Sequence, residues 1–404
     1  MLRYSIFIGF LWLLSACGGG SDGANSTATV TETPLIATET TQEPFDWQLP
    51  SGFPQPREAE DNPMSDVKVQ LGRLLFYDTR LSVNNVQSCG SCHHQSKAFT
   101  DGLTTAVGTT GEVHPRNSMG LTNVIYNSRF NWANSLIKSL PQQAMIPMFG
   151  EFPIELGWSG HETEMLDRLK YDAIYQDLFA QAFPDSTDSI HEGTITKAIG
   201  AFVSTFISGN SAYDKALYQN QPNATSESAK RGLALFFSER LECFHCHGSF
   251  NFAQGTTHDG TVFDEAEFHN NGLYNINGTG AYPPGNQGLW ELTQKQQDIG
   301  RFRPPTLRNI ELTAPYMHDG SVATLEEVLD IYARGGRLIT EGEFAGDGAK
   351  NPFKSELING FVLTEQEKQD VVNFLKSLTD WTFVCEERFS DPYGNSPPHP
   401  NCLQ

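Results

Sequence analysis

The chain has 404 residues, which is long for one ordinary domain and favours two. Its 48 acidic and 27 basic residues give a formal net charge of -21, which disfavours nucleic acid and anionic lipid as partners. Hydrophobic residues make up only 38% of the chain, and glycine and proline are abundant, a composition typical of helices joined by long ordered loops.

The N-terminus has the pattern of a bacterial lipoprotein signal. Arg3 supplies a positive start, Ile6 to Leu14 form an apolar core too short to span a bilayer, and Leu14-Ser15-Ala16-Cys17 matches a lipobox. We expect residues 1–17 to direct export and Cys17 to carry lipid, the alternative being an ordinary signal peptide. This predicts a periplasmic protein, anchored to the outer membrane, with no other membrane contact.

Residues 18–44 are rich in Ser, Thr, Glu and Gly and lack hydrophobic periodicity, so the sequence predicts a disordered tether. Beyond it, apolar residues at helical spacing predict helices. In chain order these begin near Ser65, cover residues 194–208, cover Ala229 to Phe237, and start at the capping boxes Thr324/Glu327 and Thr364/Glu367. Residues 94–160 and 248–305 are expected to be loop-rich, and no alternating strand pattern persists.

Two C-x-x-C-H motifs lie far apart, at Cys89-Gly90-Ser91-Cys92-His93 and Cys243-Phe244-His245-Cys246-His247. Thiols at i and i+3 on one helical turn reach the two vinyl groups of a haem, and the next residue places an imidazole below the iron. Zinc would need four ligands close together, and nothing resembles a thioredoxin unit. The motifs therefore predict two covalently bound haems c.

In these motifs His93 and His247 are the predicted iron ligands, whereas the adjacent His94 and His245 are expected to have no direct role at the iron.

Two further cysteines, Cys385 and Cys402, lie in the tail. In an oxidising compartment a disulfide between them is one hypothesis, and two free thiols are the alternative.

These features predict a mainly α-helical protein of two cytochrome-c-like domains, with one covalently bound c-type haem in each. We expect an N-terminal haem domain over residues 45–222, a C-terminal haem domain over residues 223–384 and a tail over residues 385–404. Both halves follow a plan of helix, Cys motif, long loop and helix, which suggests an ancient duplication.

Around the two motifs the chain resembles the bacterial di-haem cytochrome c peroxidase and MauG superfamily. It particularly resembles the MauG-like di-haem enzymes found in methanobactin operons. The matching segments are Leu71 to Ser82, Ser91 to His93, Ala98 to Gly102, Pro115 to Asn117, Ala144 to Gly157, Leu233 to His247, Pro304 to Asn309, Thr313 to Gly320 and Ala323 to Glu327.

The resemblance implies which residues surround the first haem. Conventional family peroxidases hold a second histidine in the loop after the first motif, which blocks that iron until reduction. Thr109 falls at this position here, so an open face is implied, with His114 as a rival ligand. A carboxylate should act there as acid and base on peroxide. Family position favours Glu155, with Glu151 as the alternative, and Gln143 matches a glutamine on the same side.

The resemblance also implies the ligand of the second haem, which is Met or Tyr in this family. Tyr332 matches the ligand position, and the helical pattern independently turns it toward the core. Met317 is the rival, since a thioether is a common c-haem ligand. Trp132 falls at the family tryptophan between the haems, where an indole would relay electrons.

A calcium ion between the domains is a further implication, with Asn117, Thr313 and Pro315 at the matching positions. His318 is expected near the inter-haem region without binding iron.

The resulting expectation is a MauG-type enzyme that uses hydrogen peroxide to form high-valent haem iron and to oxidise a partner protein, at a tryptophan side chain, by long-range electron transfer. The alternative is a conventional cytochrome c peroxidase that takes electrons from a small cytochrome or copper protein. A non-catalytic di-haem electron carrier is the third hypothesis, and an open iron argues against it.

Overall fold

The structure is a computed structural model that describes residues 44–403. The expected signal peptide over 1–17, its lipobox Cys17 and nearly all of the tether over 18–44 lie outside the described residues. From Phe45 onward the chain forms one compact unit. None of the helices in the described part of the chain is long and apolar enough to cross a membrane.

The described residues are mainly α-helical, as expected, and long loops and short 3-10 turns join the helices. The helices are α1 Asp66–Tyr77, α2 Cys89–Cys92, α3 Leu140–Phe149, α4 Glu162–Lys170, α5 Ala173–Ala182, α6 Glu192–Ser204, α7 Ala212–Tyr218, α8 Glu227–Phe236, α9 Phe244–His247, α10 Trp290–Thr293, α11 Leu325–Arg334, α12 Glu365–Lys376 and α13 Trp381–Cys385. Two two-residue strands, β1 Leu338–Ile339 and β2 Gly346–Asp347, pair antiparallel.

The helices predicted from periodicity and capping are present. Ser65 caps α1 by accepting the backbone N–H of Lys68, and α11 and α12 each begin with the predicted capping box. The prediction for α6 was too long, because the helix ends at Ser204 instead of continuing to residue 208. Ser208, Gly209 and Asn210 instead donate their backbone N–H groups to the side chains of Asn123 and Asp380, so this stretch is held outside the helix.

Helix α3 lies inside the segment expected to be loop-rich. Its sequence contains Pro141 and Pro147, which argue against a helix when they are taken alone. Pro141 lies in the first turn, however, where a missing backbone N–H costs nothing. The helix carries Gln143 toward the interior of the N-terminal half.

The apolar side chains form two main cores with the same construction. In the first, α1 crosses α6 so closely that a Cβ on Gly72 would collide with the carbonyl oxygen of Ala198. In the second, α8 crosses α12 in the same way, with Gly232 against the carbonyl oxygen of Asp370. The two cores support the idea of a duplicated unit, while the domain boundary at residue 222 stays a prediction.

The C-terminal tail packs against the first core. Phe383, Val384 and Phe389 are buried there, and the hydroxyl of Tyr77 donates to the carbonyl oxygen of Phe389 at 2.7 Å. Cys385 and Cys402 form a disulfide, which agrees with the first of the two hypotheses for these residues. The C-terminal tail therefore covers the core that α1 and α6 form.

Candidate functional site

The first C-x-x-C-H motif forms a single helical turn. Helix α2 places Cys89 and Cys92 on one turn, and Ser88 and Ser91 form a capping box at its start. The following residue, His93, turns its Nδ1 to the carbonyl oxygen of Phe99 at 2.8 Å. When Nδ1 donates this bond, Nε2 keeps its lone pair for a metal. Both thiols and the imidazole line one cavity, which we call the first cavity.

The second motif repeats this arrangement around α9. Cys243, Cys246 and His247 line a different cavity, the second cavity. The His247 Nδ1 lies 3.2 Å from the carbonyl oxygen of Phe252. Burial lowers the pKa of His247 to about 4, so that its imidazole is neutral and able to bind a metal. Each cavity thus has two thiols and one oriented imidazole on its wall.

The polar groups around the cavities fit a haem. A haem carries two carboxylates, which need buried donors. His318 is buried, stacks on Phe302 at 3.5 Å between ring centroids, and lines the second cavity. Its Nε2 atom has no hydrogen-bond partner among the described residues. A buried polar atom without a protein partner is expected where a bound group completes the wall of the cavity.

The first cavity contains the predicted acid–base residue. Glu155 and Gln143 both line it, and the Gln143 side-chain oxygen accepts from Asn131 at 3.2 Å. The Glu155 side chain is 29% exposed, and burial raises the pKa of its carboxyl group to about 7. The alternative, Glu151, is exposed and lies outside the cavity lining.

Thr109, the residue at the position of the family's second histidine, uses its hydroxyl to contact the side-chain oxygen of Asn84.

His114 also lines the first cavity, and its contacts specify a tautomer. Its Nδ1 accepts the backbone N–H of Arg116 at 3.1 Å, and its Nε2 lies 3.6 Å from Oε1 of Glu155. Burial and the nearby Arg116 lower the pKa of His114, so the ring is neutral. A neutral ring that accepts at Nδ1 carries its proton on Nε2. In this tautomer Nε2 has no lone pair for iron, and it lies close to Glu155 but beyond hydrogen-bond distance. Sequence reasoning missed the contact with Glu155, and no signal in the sequence indicates it.

The second cavity contains both candidate ligands that the sequence offered. Tyr332 lines it together with Leu325, Val328 and Leu329, which confirms the inward face predicted for α11. Burial raises the pKa of Tyr332 to about 12. Met317 also lines the cavity, and its sulfur accepts a hydrogen bond from the side chain of Asn271 at 3.5 Å.

Trp132 belongs to the lining of both cavities. Its indole Nε1 donates to the carbonyl oxygen of Asn117 at 2.9 Å, which fixes the ring. The resemblance implied a position between the two haems, and its role there stays a prediction.

The residues predicted to bind calcium lie on neighbouring segments. The backbone N–H of Asn117 donates to the carbonyl oxygen of His318 at 2.9 Å, which joins its loop to the segment that contains Thr313 and Pro315. The Asn117 side chain uses its nitrogen to donate to the carbonyl oxygen of Leu103 at 2.7 Å. The amide oxygen of Asn117, which is the kind of atom that calcium prefers, takes no part in this hydrogen bond.

A mainly helical chain with two cavities, each lined by one C-x-x-C-H motif, defines a di-haem c-type cytochrome. The family model described as di-haem cytochrome c peroxidase matches residues 66–222. The methylamine utilization protein MauG of Methylorubrum extorquens is 31% identical over 375 residues, which are 91% of this chain and 93% of that protein. The chain belongs to the di-haem cytochrome c peroxidase and MauG family.

Two other similar proteins carry the two kinds of name found in this family, cytochrome-c peroxidase and MauG-like protein. A cytochrome-c peroxidase, IdrP1 of a Pseudomonas species, is 33% identical over 79% of this chain and 83% of its own length. The crystal structure of a MauG-like protein associated with microbial copper homeostasis is 48% identical, with a TM-score of 0.84 over 86% of this chain and 99% of that one. This match supports the predicted likeness to the MauG-like branch.

Family membership establishes the general activity. The protein is a di-haem oxidoreductase that carries two haems c and acts with hydrogen peroxide and a protein partner. Members of the family are periplasmic. His93 and His247, each with its pair of thiols, are the residues that would hold the two haems.

Proposed function

We propose that this protein is a peroxidase of MauG type, which uses hydrogen peroxide to oxidise a tryptophan side chain of a periplasmic partner protein by long-range electron transfer. The observation that carries this proposal is the unequal lining of the two cavities. The first has the carboxyl group of Glu155, and the second has the phenol of Tyr332. One cavity is equipped to react with peroxide and the other to hold oxidising equivalents.

In the first cavity Glu155 is the acid–base residue. Cleavage of peroxide requires a group that takes the proton from one oxygen and returns it to the oxygen that leaves as water. A carboxyl group with a pKa of about 7 can do both near neutral pH, because neither form is strongly favoured. Gln143 adds a polar side chain to the same cavity, where it orients the substrate.

His114 is proposed to position Glu155, and in this tautomer it would not bind the iron of the haem that His93 would hold. Its Nε2–H lies close to the carboxylate, and its Nδ1 is already occupied by the N–H of Arg116. To bind iron through Nε2, the ring would have to move its proton to Nδ1, where it would meet another N–H. This conflict favours the open face over the rival ligand.

In the second cavity Tyr332 is the proposed ligand of the second iron. The Asn271 side chain contacts both candidates, so the choice rests on Tyr332 matching the family ligand position on a helix whose apolar face turns into the cavity. A phenolate ligand stabilises the higher oxidation states of iron, which the bound haems supply to the reaction. Each peroxide takes up two electrons and two protons to give two waters, so the partner loses two electrons.

Trp132 is the proposed relay between the two haems, because its indole lines both cavities. A fixed aromatic ring at this position shortens each step that an electron must take. Family membership implies a protein partner, and the likeness to a MauG-like protein associated with microbial copper homeostasis supports a MauG-type reaction with that partner. A lipid on Cys17 would keep the enzyme at the outer membrane.

A calcium ion bound by Asn117, Thr313 and Pro315 is proposed between the two halves. Its support is the hydrogen bond that joins the Asn117 loop to the segment ending in His318. Calcium chelation is expected to lower the rate of the peroxide reaction and to perturb the haem spectra, and calcium is expected to restore both. An unchanged spectrum with stoichiometric chelator would exclude the ion.

The proposal is tested by spectroscopy of the oxidised protein before and after peroxide. We expect one high-spin and one low-spin ferric haem, and a rapid reaction with peroxide that needs no prior reduction. Two low-spin haems, with imidazole on both sides of the first, would contradict it.

A conventional cytochrome c peroxidase is the second candidate, because relatives such as IdrP1 carry that name. It would require prior reduction of one haem and a small electron-donor protein. Reaction of the fully oxidised protein with peroxide therefore separates the two candidates.

A further inference from the structure

Arg303 is a buried guanidinium without an acidic partner. The residue is 7% exposed, and none of the described carboxylates forms an ion pair with it. Its protein contacts are long and uncharged: 3.4 Å to the carbonyl oxygens of Asn131 and Pro304, and 3.8 Å to the sulfur of Met119. A buried charge is costly unless it is paired and hydrogen-bonded.

The other large buried arginine shows what this fold does with a paired charge. Arg308 is 1% exposed, and its Nη1 lies 2.9 Å from both carboxylate oxygens of Asp214. It also donates to the carbonyl oxygen of Phe250 at 2.9 Å and 2.6 Å. Arg303, five residues earlier in the chain, has no carboxylate partner and no short hydrogen bond of this kind. We infer that its partner comes from outside the polypeptide.

The position of Arg303 indicates what that partner is. The residue lines both the first and the second cavity, and its backbone N–H donates to the carbonyl oxygen of Trp132 at 2.9 Å. His318, whose buried Nε2 atom has no hydrogen-bond partner among the described residues, also lines the second cavity. The groups that must occupy these cavities are the two haems, and each carries two propionate carboxylates.

We propose that Arg303 is the shared counter-ion of the two haems and binds a propionate carboxylate from each through one guanidinium. Arginine suits this role because its planar fork presents five N–H donors, enough for two carboxylates at once. The inference depends on the two haems that family membership establishes, and not on the proposed MauG-type reaction.

A shared cation has a measurable consequence. A positive charge near both irons favours the reduced state of both haems, so its loss is expected to lower both midpoint potentials. The experiment is an anaerobic redox titration of the haem-loaded protein, followed by absorbance, for the wild type, R303Q, R303K and R301Q. R301Q is the matched control, because Arg301 is 39% exposed, faces Asp298 and lies outside both cavities.

We expect R303Q to shift both potentials downward together, whereas R301Q leaves both unchanged. A shift at one haem alone, or at neither, would overturn the proposal. If R303Q does not load both haems, R303K decides, because a lysine is a point charge that reaches one carboxylate. It is expected to retain the potential of one haem and lower that of the other. Two unchanged potentials in R303K would also overturn the proposal.

Discussion

The two haem cavities share the residues that attach the cofactor and differ in those that would act on a substrate. In both, a histidine Nδ1 faces a backbone carbonyl, at 2.8 Å for His93 and 3.2 Å for His247. In both, a glycine allows two helices to cross closely behind the motif, Gly72 in one half and Gly232 in the other. The common framework is therefore devoted to holding the cofactor.

The difference lies in what each half adds to this framework. The first cavity adds the ionisable pair Glu155 and His114, whereas the second adds the phenol of Tyr332 on an otherwise apolar helix face. In the proposed function the carboxyl group of Glu155 acts on peroxide, and the phenol of Tyr332 would bind the second iron. In the proposed function, the two similar haem sites therefore acquire different tasks through a few side chains of the cavity linings.

Removal of the carboxyl group from the first cavity should have the largest effect. E155Q is expected to slow the reaction with peroxide by about 10²–10⁴-fold, because it removes the acid–base group. In the proposed mechanism the carboxylate form of Glu155 is the base. The rate constant should therefore rise with pH and level off above about 7, the pKa of Glu155. E155Q should have a flat profile over that range.

Stopped-flow mixing with peroxide, between pH 5 and pH 9, measures both quantities. E151Q is the control, because Glu151 is an exposed carboxylate four residues away and outside the cavity. An E151Q enzyme with the larger loss, and a normal E155Q enzyme, would assign the base to Glu151 instead.

The tail disulfide should affect only the half that it covers. Cys385 and Cys402 are 17 residues apart, and closing a loop of this size stabilises a fold by about 3 kcal/mol. The tail packs on the first core, so C385S and C402S should unfold that half at lower denaturant concentration. Absorbance of each haem during denaturation measures this, and equal midpoints for wild type and variants would contradict it.

The identity of the second ligand should appear in the spectrum of one haem alone. Y332F is expected to change the low-spin ferric signal of the second haem and to shift its midpoint potential on the order of 100 mV, because axial ligands set this potential. The first haem should keep its spectrum. Y316F is the control, since Tyr316 also lines the second cavity but donates its hydroxyl to the carbonyl oxygen of Ile310 at 3.2 Å. A normal Y332F spectrum together with an altered M317L spectrum would make Met317 the ligand.

The sequence was most informative where function depends on short spacing. Two thiols and an imidazole within five residues predicted each attachment site, and the capping residues of α11 and α12 predicted where these helices begin. The sequence was least informative where residues meet across loops or across the whole chain. Nothing local indicated that His114 would turn toward Glu155, or that Phe389 would enter the first core. An unpaired Arg303 is likewise visible only when the surroundings of the guanidinium are known.

Removal of the His114 side chain, which lies next to Glu155, should have the smallest effect. H114A removes the Nε2–H that lies 3.6 Å from the Glu155 carboxylate. The loss of a donor raises the pKa of the carboxyl group, so the midpoint of the pH profile should move upward. The maximal rate should fall by about threefold to tenfold, equivalent to roughly 1 kcal/mol. The same stopped-flow series measures both changes.

H161A is the control, because His161 is half-exposed at the N-cap of α4 and outside both cavities. A new high-spin signal on the first haem in H114A would show that His114 binds the iron. An unchanged midpoint with an unchanged rate would leave Glu155 to act alone. In that case the difference between the two cavities would reduce to one carboxyl group and one phenol, since burial alone would account for the raised pKa of Glu155.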